Sequence, residues 1–202
     1  MDKVKLVAIL RGIQPGEAAE HIAALIEAGF RYIEIPLNSP DWQQSIPAMV
    51  RQFGERAVIG AGTVLKVEQV DFLAEAGAKL IVTPNTAPAV IRRAVDKGML
   101  VCAGCATASE AFSALDAGAQ WLKIFPSSAF GPDYIRALKA VLPPEVSVLA
   151  VGGVTPENLA QWINAGCVGA GLGSDLYRAG QPVERTAQQA AAFVKAYREA
   201  VK

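Results

Sequence analysis

The sequence predicts one (β/α)8 barrel over residues 1–202. The first observation is a recurring boundary, in which a helix-like segment ends in glycine and an apolar strand-like segment follows at once; the glycines are Gly29, Gly77, Gly98, Gly118 and Gly166. Glycine closes the last turn of a helix in the left-handed conformation. The second observation is that the chain has no linker, low-complexity segment or composition break. Repeated βα units without a break are typical of a single barrel domain.

With these boundaries marked, the chain contains eight strand candidates, and a helical pattern follows each of them. The strand candidates are residues 4–10, 32–37, 57–61, 79–83, 99–103, 120–125, 147–151 and 168–172. The amphipathic segment 183–202 is the last predicted helix. An open doubly wound sheet is the alternative fold. It is disfavoured because the first strand leads into Leu10-Arg11-Gly12-Ile13-Gln14 and not into a G-x-G-x-x-G motif.

Composition restricts the partners and the location. The 19 basic and 19 acidic residues cancel, so no bulk charge attracts nucleic acid or an anionic membrane. No apolar run approaches the ~20 residues that span a bilayer. The N-terminal stretch Met1-Asp2-Lys3-Val4-Lys5 leads into a short apolar segment that is a poor signal peptide. With an odd number of cysteines, 3, these features predict a cytoplasmic protein without disulfides.

The sequence offers little for metal or histidine chemistry. Cys102 and Cys105 form a single C-x-x-C pattern with no second pair or histidine cluster to complete a zinc site, which favours a structural role. His21 is the only histidine and falls on the polar side of a predicted helix, so we expect no role for it as a general base. We therefore predict neither a metal nor a cofactor.

Lys123 is the anomaly of the sixth strand, because it lies inside the apolar run 120–126. Strand alternation places Trp121, Lys123 and Phe125 on one face. A lysine held among aromatic side chains loses proton affinity, and a neutral amine can attack a carbonyl. The alternative is a lysine whose stem packs while its head reaches water. The apolar run alone favours a lysine whose head reaches water. Its place in the sixth strand of a barrel favours a nucleophile, because barrels carry their chemistry at the strand ends.

Three other strand ends carry polar residues. Alternation in the second strand directs Glu34 into the barrel, where a carboxylate is either functional or part of a structural salt bridge, for example with Lys123. Arg11 ends the first strand and offers a guanidinium to a carboxylate or phosphate, or is simply a surface charge. Thr63 follows the third strand, as a ligand-binding hydroxyl or as a helix cap.

Glycine-rich loops follow the last two strands. Gly152 and Gly153 follow the seventh strand, and Gly173 and Ser174 follow the eighth. Loops of this kind expose backbone N–H groups to an anion, and in barrels this position is a recurrent phosphate site. Two tight turns are the alternative. With the amine, the carboxylate and the arginine, the loops describe Schiff-base chemistry on a phosphorylated substrate.

These motifs resemble one family over nearly the whole chain. Ile33-Glu34-Ile35-Pro36-Leu37-Asn38-Ser39, Gly60-Ala61-Gly62-Thr63, Lys123-Ile124-Phe125-Pro126, Gly152-Gly153-Val154 and Gly171-Leu172-Gly173-Ser174 are similar to the class I aldolases that act on 2-keto-3-deoxy-6-phosphogluconate and 2-keto-3-deoxy-6-phosphogalactonate. The resemblance implies reversible cleavage to pyruvate and glyceraldehyde 3-phosphate. It also implies a homotrimer without metal or cofactor.

The same resemblance implies roles for the site residues. Lys123 would form the Schiff base, and Glu34 would move protons, through a water. Arg11 and Thr63 would hold the pyruvate end, and Gly152, Gly153, Gly173 and Ser174 would hold the phosphate.

The choice of sugar depends on the second strand. Gluconate enzymes of the family commonly carry Arg-Thr four and five residues after the glutamate, whereas Asn38 and Ser39 stand here. This departure favours the phosphogalactonate branch, in galactonate degradation, over the phosphogluconate aldolase of the Entner–Doudoroff pathway. It also assigns carboxylate binding to Arg11. A non-catalytic phosphosugar-binding barrel and an isomerase or epimerase stay open as alternatives from other classes.

Overall fold

The computed structural model describes residues 4–202. Eight parallel strands pair in chain order and close between β8 and β1, which confirms the predicted (β/α)8 barrel. The strands are β1 (Leu6–Ile9), β2 (Tyr32–Pro36), β3 (Val58–Gly62), β4 (Leu80–Val82), β5 (Leu100–Cys105), β6 (Trp121–Ile124), β7 (Ser147–Val151) and β8 (Gly169–Leu172). Residues 1–3 of the N-terminal stretch discussed above lie outside the described part of the chain.

One helix follows each strand. The helices are α1 (Pro15–Ala28), α2 (Trp42–Phe53), α3 (Val67–Glu75), α4 (Pro88–Asp96), α5 (Ala108–Asp116), α6 (Ser127–Lys139), α7 (Leu159–Asn164) and α8 (Val183–Ala200). Helix α6 is kinked at Gly131, whose φ of 80° interrupts the helical backbone. Helix α5 begins at a capping box, in which Glu110 N–H donates to Thr107 Oγ1 and Thr107 N–H donates to Glu110 Oε2.

The strands separate two apolar layers. Residues such as Leu122 and Ile124 face the helices, whereas Val7, Tyr32, Trp121 and Leu149 fill the barrel interior. The Tyr32 and Trp121 rings meet edge to face at 4.8 Å between centroids. Because both residues begin their strands, this aromatic pair closes the end of the barrel where the strands start. The next inward positions on the same two strands are Glu34 and Lys123.

His21 corrects one prediction. Its side chain is only 4% exposed, whereas the polar pattern of α1 placed it toward solvent. Its Nδ1 lies 2.8 Å from Thr186 Oγ1 on α8, and its ring meets the Tyr177 ring edge to face at 5.1 Å. The pattern of one helix does not reveal that a second helix and a loop cover its polar side.

Within residues 4–202, no helix is long and apolar enough to cross a membrane.

Candidate active site

A pocket of about 580 Å³ opens at the carboxyl ends of the strands, where barrel enzymes carry their chemistry. It has one charged group near its floor, Lys123, and two glycine-rich loops on one side. Its lining comprises Ile9, Arg11, Asn38, Lys123, Phe125, Val151, Gly152, Gly153, Val154, Gly171, Gly173, Ser174, Asp175, Tyr177 and Arg178.

Lys123 points into the barrel, as strand alternation predicted, and its side chain is buried. Its Nζ lies 4.6 Å from the centroid of the Phe125 ring, and Trp121 lies one inward position deeper on the same strand. Burial lowers the pKa of the Lys123 amine, and the nearby Glu34 carboxylate opposes part of this effect. The amine at the pocket floor is therefore more readily neutral than the amine of an exposed lysine.

Glu34 occupies the neighbouring inward position of β2 and is 2% exposed. Its carboxyl group lies where a side chain at position 62 would extend, and a Cβ on Gly62 would overlap Glu34 Oε1, Oε2 and Cδ. Gly62 therefore provides the space for the carboxyl group. Burial raises the pKa of Glu34 to about 7, against the opposing influence of Lys123 and Arg11.

Glu34 and Lys123 both line a second, small cavity of about 10 Å³ next to the main pocket, with which it shares Ile9, Lys123, Val151 and Gly171. This volume is about that of one water molecule. Glu34 Oε2 is buried there without a hydrogen-bond partner, and within residues 4–202 no ion pair joins the two side chains. The structural salt bridge considered as the alternative for Glu34 is therefore not formed. A proton acceptor and an amine share the floor of the site instead.

Arg11 and Thr63 meet at the ends of β1 and β3. Arg11 Nη1 donates to Asn38 Oδ1 at 2.5 Å and to Thr63 Oγ1 at 3.4 Å. Ser39 Oγ accepts from the backbone N–H of Gly12, next to Arg11. Asn38 and Ser39, whose roles the sequence left open, thus hold Arg11 and its loop in place.

Thr63 has a strained backbone. Its φ of 55° lies in the left-handed region, which β-branched residues rarely adopt. Such strain persists only where the surrounding structure enforces it, and it is concentrated at functional sites.

The glycine-rich loops meet on the opposite side of the pocket. Gly152 and Gly153 have φ of 100° and 72°, which favours glycine, and a Cβ on Gly153 would lie 2.6 Å from Ser128 Cβ. The fully buried Ser127 joins β6 to β7, because its Oγ donates to Ile124 O and accepts from Val151 N–H. Gly173 and Ser174 lie in the pocket wall beside these loops.

The structure brings the predicted residues together in two groups. Lys123, Arg11 and the loop residues line the main pocket, while Glu34 lines the small cavity next to it and Thr63 joins it through Arg11. Sequence reasoning missed Asp175, Tyr177 and Arg178 in the wall. The polar run that follows the last strand was their only sequence signal.

Cys102 and Cys105 are buried free thiols. Cys102 lines the small cavity, and burial raises its pKa to about 12, so the thiol is neutral. Within residues 4–202, no cluster of three or more histidine, cysteine, aspartate or glutamate side chains is arranged to hold a metal ion.

A closed parallel barrel with a polar pocket at its carboxyl-terminal end defines a (β/α)8-barrel protein. Comparison with known proteins gives the particular family, since the family described as KDPG and KHG aldolase matches residues 1–190. The chain belongs to the KDPG and KHG aldolase family, which confirms the resemblance seen in the motifs. It is therefore an aldolase, a lyase of carbon–carbon bonds.

Two relatives are similar over most of their length. The 2-dehydro-3-deoxy-6-phosphogalactonate aldolase of Escherichia coli K12 is 74% identical over 98% of this chain and 97% of its own. A probable aldolase of the same name from Rhizobium meliloti is 48% identical over 95% of this chain and 91% of its own. A solved structure described as native KDPGal superposes with a TM-score of 0.98 at 74% identity, covering 100% of this chain and 98% of the other.

Gly62→Ala tests the floor of the site. The added Cβ displaces the Glu34 carboxyl group, so we expect aldol cleavage to fall roughly 100-fold in kcat/KM, as for a misplaced catalytic group. The matched control is Gly16→Ala in α1, where a Cβ meets nothing within 4 Å. Circular dichroism checks that both variants fold. Full activity in folded Gly62→Ala would show that the position of Glu34 does not matter.

Proposed function

We propose that the chain cleaves 2-dehydro-3-deoxy-6-phospho-D-galactonate reversibly to pyruvate and D-glyceraldehyde 3-phosphate through a Schiff base on Lys123. The observation that carries this proposal is the buried, unpaired amine of Lys123 at the pocket floor, with the Glu34 carboxyl group beside the same small cavity. The names of the Escherichia coli and Rhizobium relatives support the choice of substrate.

The first half of the proposed reaction forms the imine. The Lys123 amine attacks the C2 carbonyl carbon and gives a carbinolamine, which loses water to leave a protonated imine. Glu34 supplies the proton that leaves with the hydroxyl group. Its pKa of about 7 lets it give or take a proton near neutral pH.

The second half breaks the carbon–carbon bond. Glu34 removes the proton of the C4 hydroxyl group, the C3–C4 bond breaks, and its electron pair moves toward the imine nitrogen to form an enamine. The aldehyde product is glyceraldehyde 3-phosphate. Protonation of the enamine at C3 and addition of water then release pyruvate and the free lysine.

The two ends of the substrate carry negative charge. Arg11 is assigned to the C1 carboxylate, with Thr63 and Asn38 holding its guanidinium. The backbone N–H groups of Gly152, Gly153 and Gly173 and the hydroxyl of Ser174 are assigned to the 6-phosphate. The substrate would lie across the mouth of the barrel with C2 above Lys123.

Borohydride reduction in the presence of pyruvate tests the nucleophile. We expect one reduced pyruvate adduct, located on Lys123 by peptide mass spectrometry, and none in Lys123→Ala. The control is Lys66→Ala, which changes an exposed lysine and should keep the adduct. A wild-type chain without an adduct would favour the non-catalytic barrel or the acid–base isomerase.

The sugar is tested with the two C4 epimers. We expect a higher kcat/KM for cleavage of the galactonate compound than of the gluconate compound. The preference should be modest, because a single hydroxyl configuration gives limited discrimination unless a buried partner binds it. A strong preference for the gluconate epimer would assign the chain to the phosphogluconate branch instead.

Assembly and location extend the proposal. We propose a cytoplasmic homotrimer, by resemblance to the family. The buried free thiols of Cys102, Cys105 and Cys167 are consistent with a reducing compartment, and exposed apolar side chains such as Phe72 and Phe112 are available to an interface. Light scattering of the purified chain should give the mass of three chains. A monomer mass would contradict the trimer.

A further inference from the structure

The β8–α8 loop, residues 173–181, forms one wall of the pocket. It is made of turns, and it contributes Gly173, Ser174, Asp175, Tyr177 and Arg178 to the lining. Its backbone hydrogen bonds are local: the N–H groups of Leu176 and Tyr177 both donate to Gly173 O, and the N–H of Gln181 donates to Arg178 O. The position of these turns relative to helix α8 therefore depends on side-chain hydrogen bonds, from Gln181 to Thr186 and from Gln189 to Asp175 O.

Gln181 holds the loop through its whole amide group. Its Nε2 donates to Leu176 O at 2.9 Å and to Thr186 Oγ1 at 2.7 Å, and its Oε1 accepts from the N–H of Arg178 at 3.0 Å. A carbonyl can only accept and a backbone N–H can only donate, so these two partners fix which way the amide faces. One side chain thereby joins the middle of the loop to helix α8.

Thr186 connects Gln181 to helix α1. Its side chain is fully buried, and its Oγ1 lies 2.8 Å from His21 Nδ1. Since Thr186 Oγ1 already accepts from Gln181, its one proton is available to His21 Nδ1. When Thr186 donates this proton, Nδ1 is unprotonated, the ring proton is on Nε2, and the buried hydroxyl both accepts and donates a hydrogen bond. His21, Thr186 and Gln181, the anchoring triad, thus form one directional series of hydrogen bonds from the loop to α1.

The surroundings of His21 favour its neutral form. Burial lowers the pKa of His21, and the carboxylates of Glu17 and Glu20 on α1 and Glu184 on α8 oppose part of this effect. From the loop, the Tyr177 ring packs edge to face against the imidazole. Tyr177 itself lines the substrate pocket, so the histidine contacts the wall directly as well as through Thr186.

We propose that His21, Thr186 and Gln181 are positioning residues that hold the β8–α8 loop in the shape that binds the phosphate end of the substrate. The inference rests on the phosphate role proposed above for Gly173 and Ser174. None of the three side chains touches the reacting carbons. Their effect is on the binding of the anionic end and not on the chemistry at Lys123.

Thr186→Val tests the triad, because it keeps the shape of the side chain and removes the hydroxyl. Loss of this buried link should raise the KM for the phosphorylated substrate about fivefold, the equivalent of one hydrogen bond. The inhibition constant of inorganic phosphate should rise by the same factor. The kcat and the rate of pyruvate trapping on Lys123 should stay within about twofold. Thr186→Ser restores the hydroxyl and should restore both constants.

Gln188→Leu is the matched control, since it changes an exposed glutamine two residues farther along α8. It should leave the KM and the phosphate inhibition constant unchanged. If Thr186→Val lowers the melting temperature but leaves both constants at the wild-type values, the triad is only structural and the inference is wrong. A wild-type chain that forms no pyruvate adduct would instead overturn the proposed function, while direct binding of inorganic phosphate, measured by calorimetry on the wild type and Thr186→Val, would still test the loop.

The pH dependence tests the histidine separately. Phosphate monoesters titrate near pH 6 in every variant, so the informative quantity is the ratio of the KM of Thr186→Val to that of the wild type. Protonation of His21 weakens the wild-type triad, so the ratio should fall toward one as the pH drops below the pKa of His21. That pKa is measurable by NMR, since the chain has 1 histidine. A ratio that does not change with pH would remove His21 from the triad.

Discussion

The structure depends on the burial of an amine and a carboxyl group in one layer of the barrel. Removing either charge from water costs several kcal/mol, and Lys123 and Glu34 do not offset that cost by forming an ion pair. Their pKa values shift toward each other instead, the amine downward and the acid upward. Both shifts favour the neutral form of the group, and the neutral forms are the ones that nucleophilic attack and proton donation in the proposed reaction would use.

The loops around this layer hold the charged groups that remain in water. Arg11 is exposed, yet its direction is set by Asn38, and its loop is set by Ser39. On the other side, Ser127 joins the ends of β6 and β7, and Gln181 joins the last loop to α8. The interior carries the two groups to which the proposed reaction assigns the chemistry, and side chains from neighbouring units hold the loops that the proposal assigns to the two ends of the substrate.

Much of this could be predicted from local sequence patterns. Period-two alternation gave the inward direction of Glu34 and Lys123, because in a closed barrel each strand has only two faces. The burial of His21 and the contribution of Arg178 could not be predicted in this way. Both depend on how the loop after β8 and helix α8 pack against helix α1, which lies about 150 residues earlier in the chain. The bond between Arg11 and Asn38 likewise joins the ends of two strands whose loops only the closed barrel brings together.

Gly62 has an evolutionary consequence. Because the Glu34 carboxyl group occupies the space of a side chain at position 62, the two positions cannot change independently. A descendant that gains a side chain at 62 while it keeps Glu34 carries a displaced carboxyl group, and a carboxyl group in its present place requires the glycine to be restored first. The order of substitutions is thus constrained between two adjacent strands, and this epistasis tends to keep the acid in place once the barrel has acquired it.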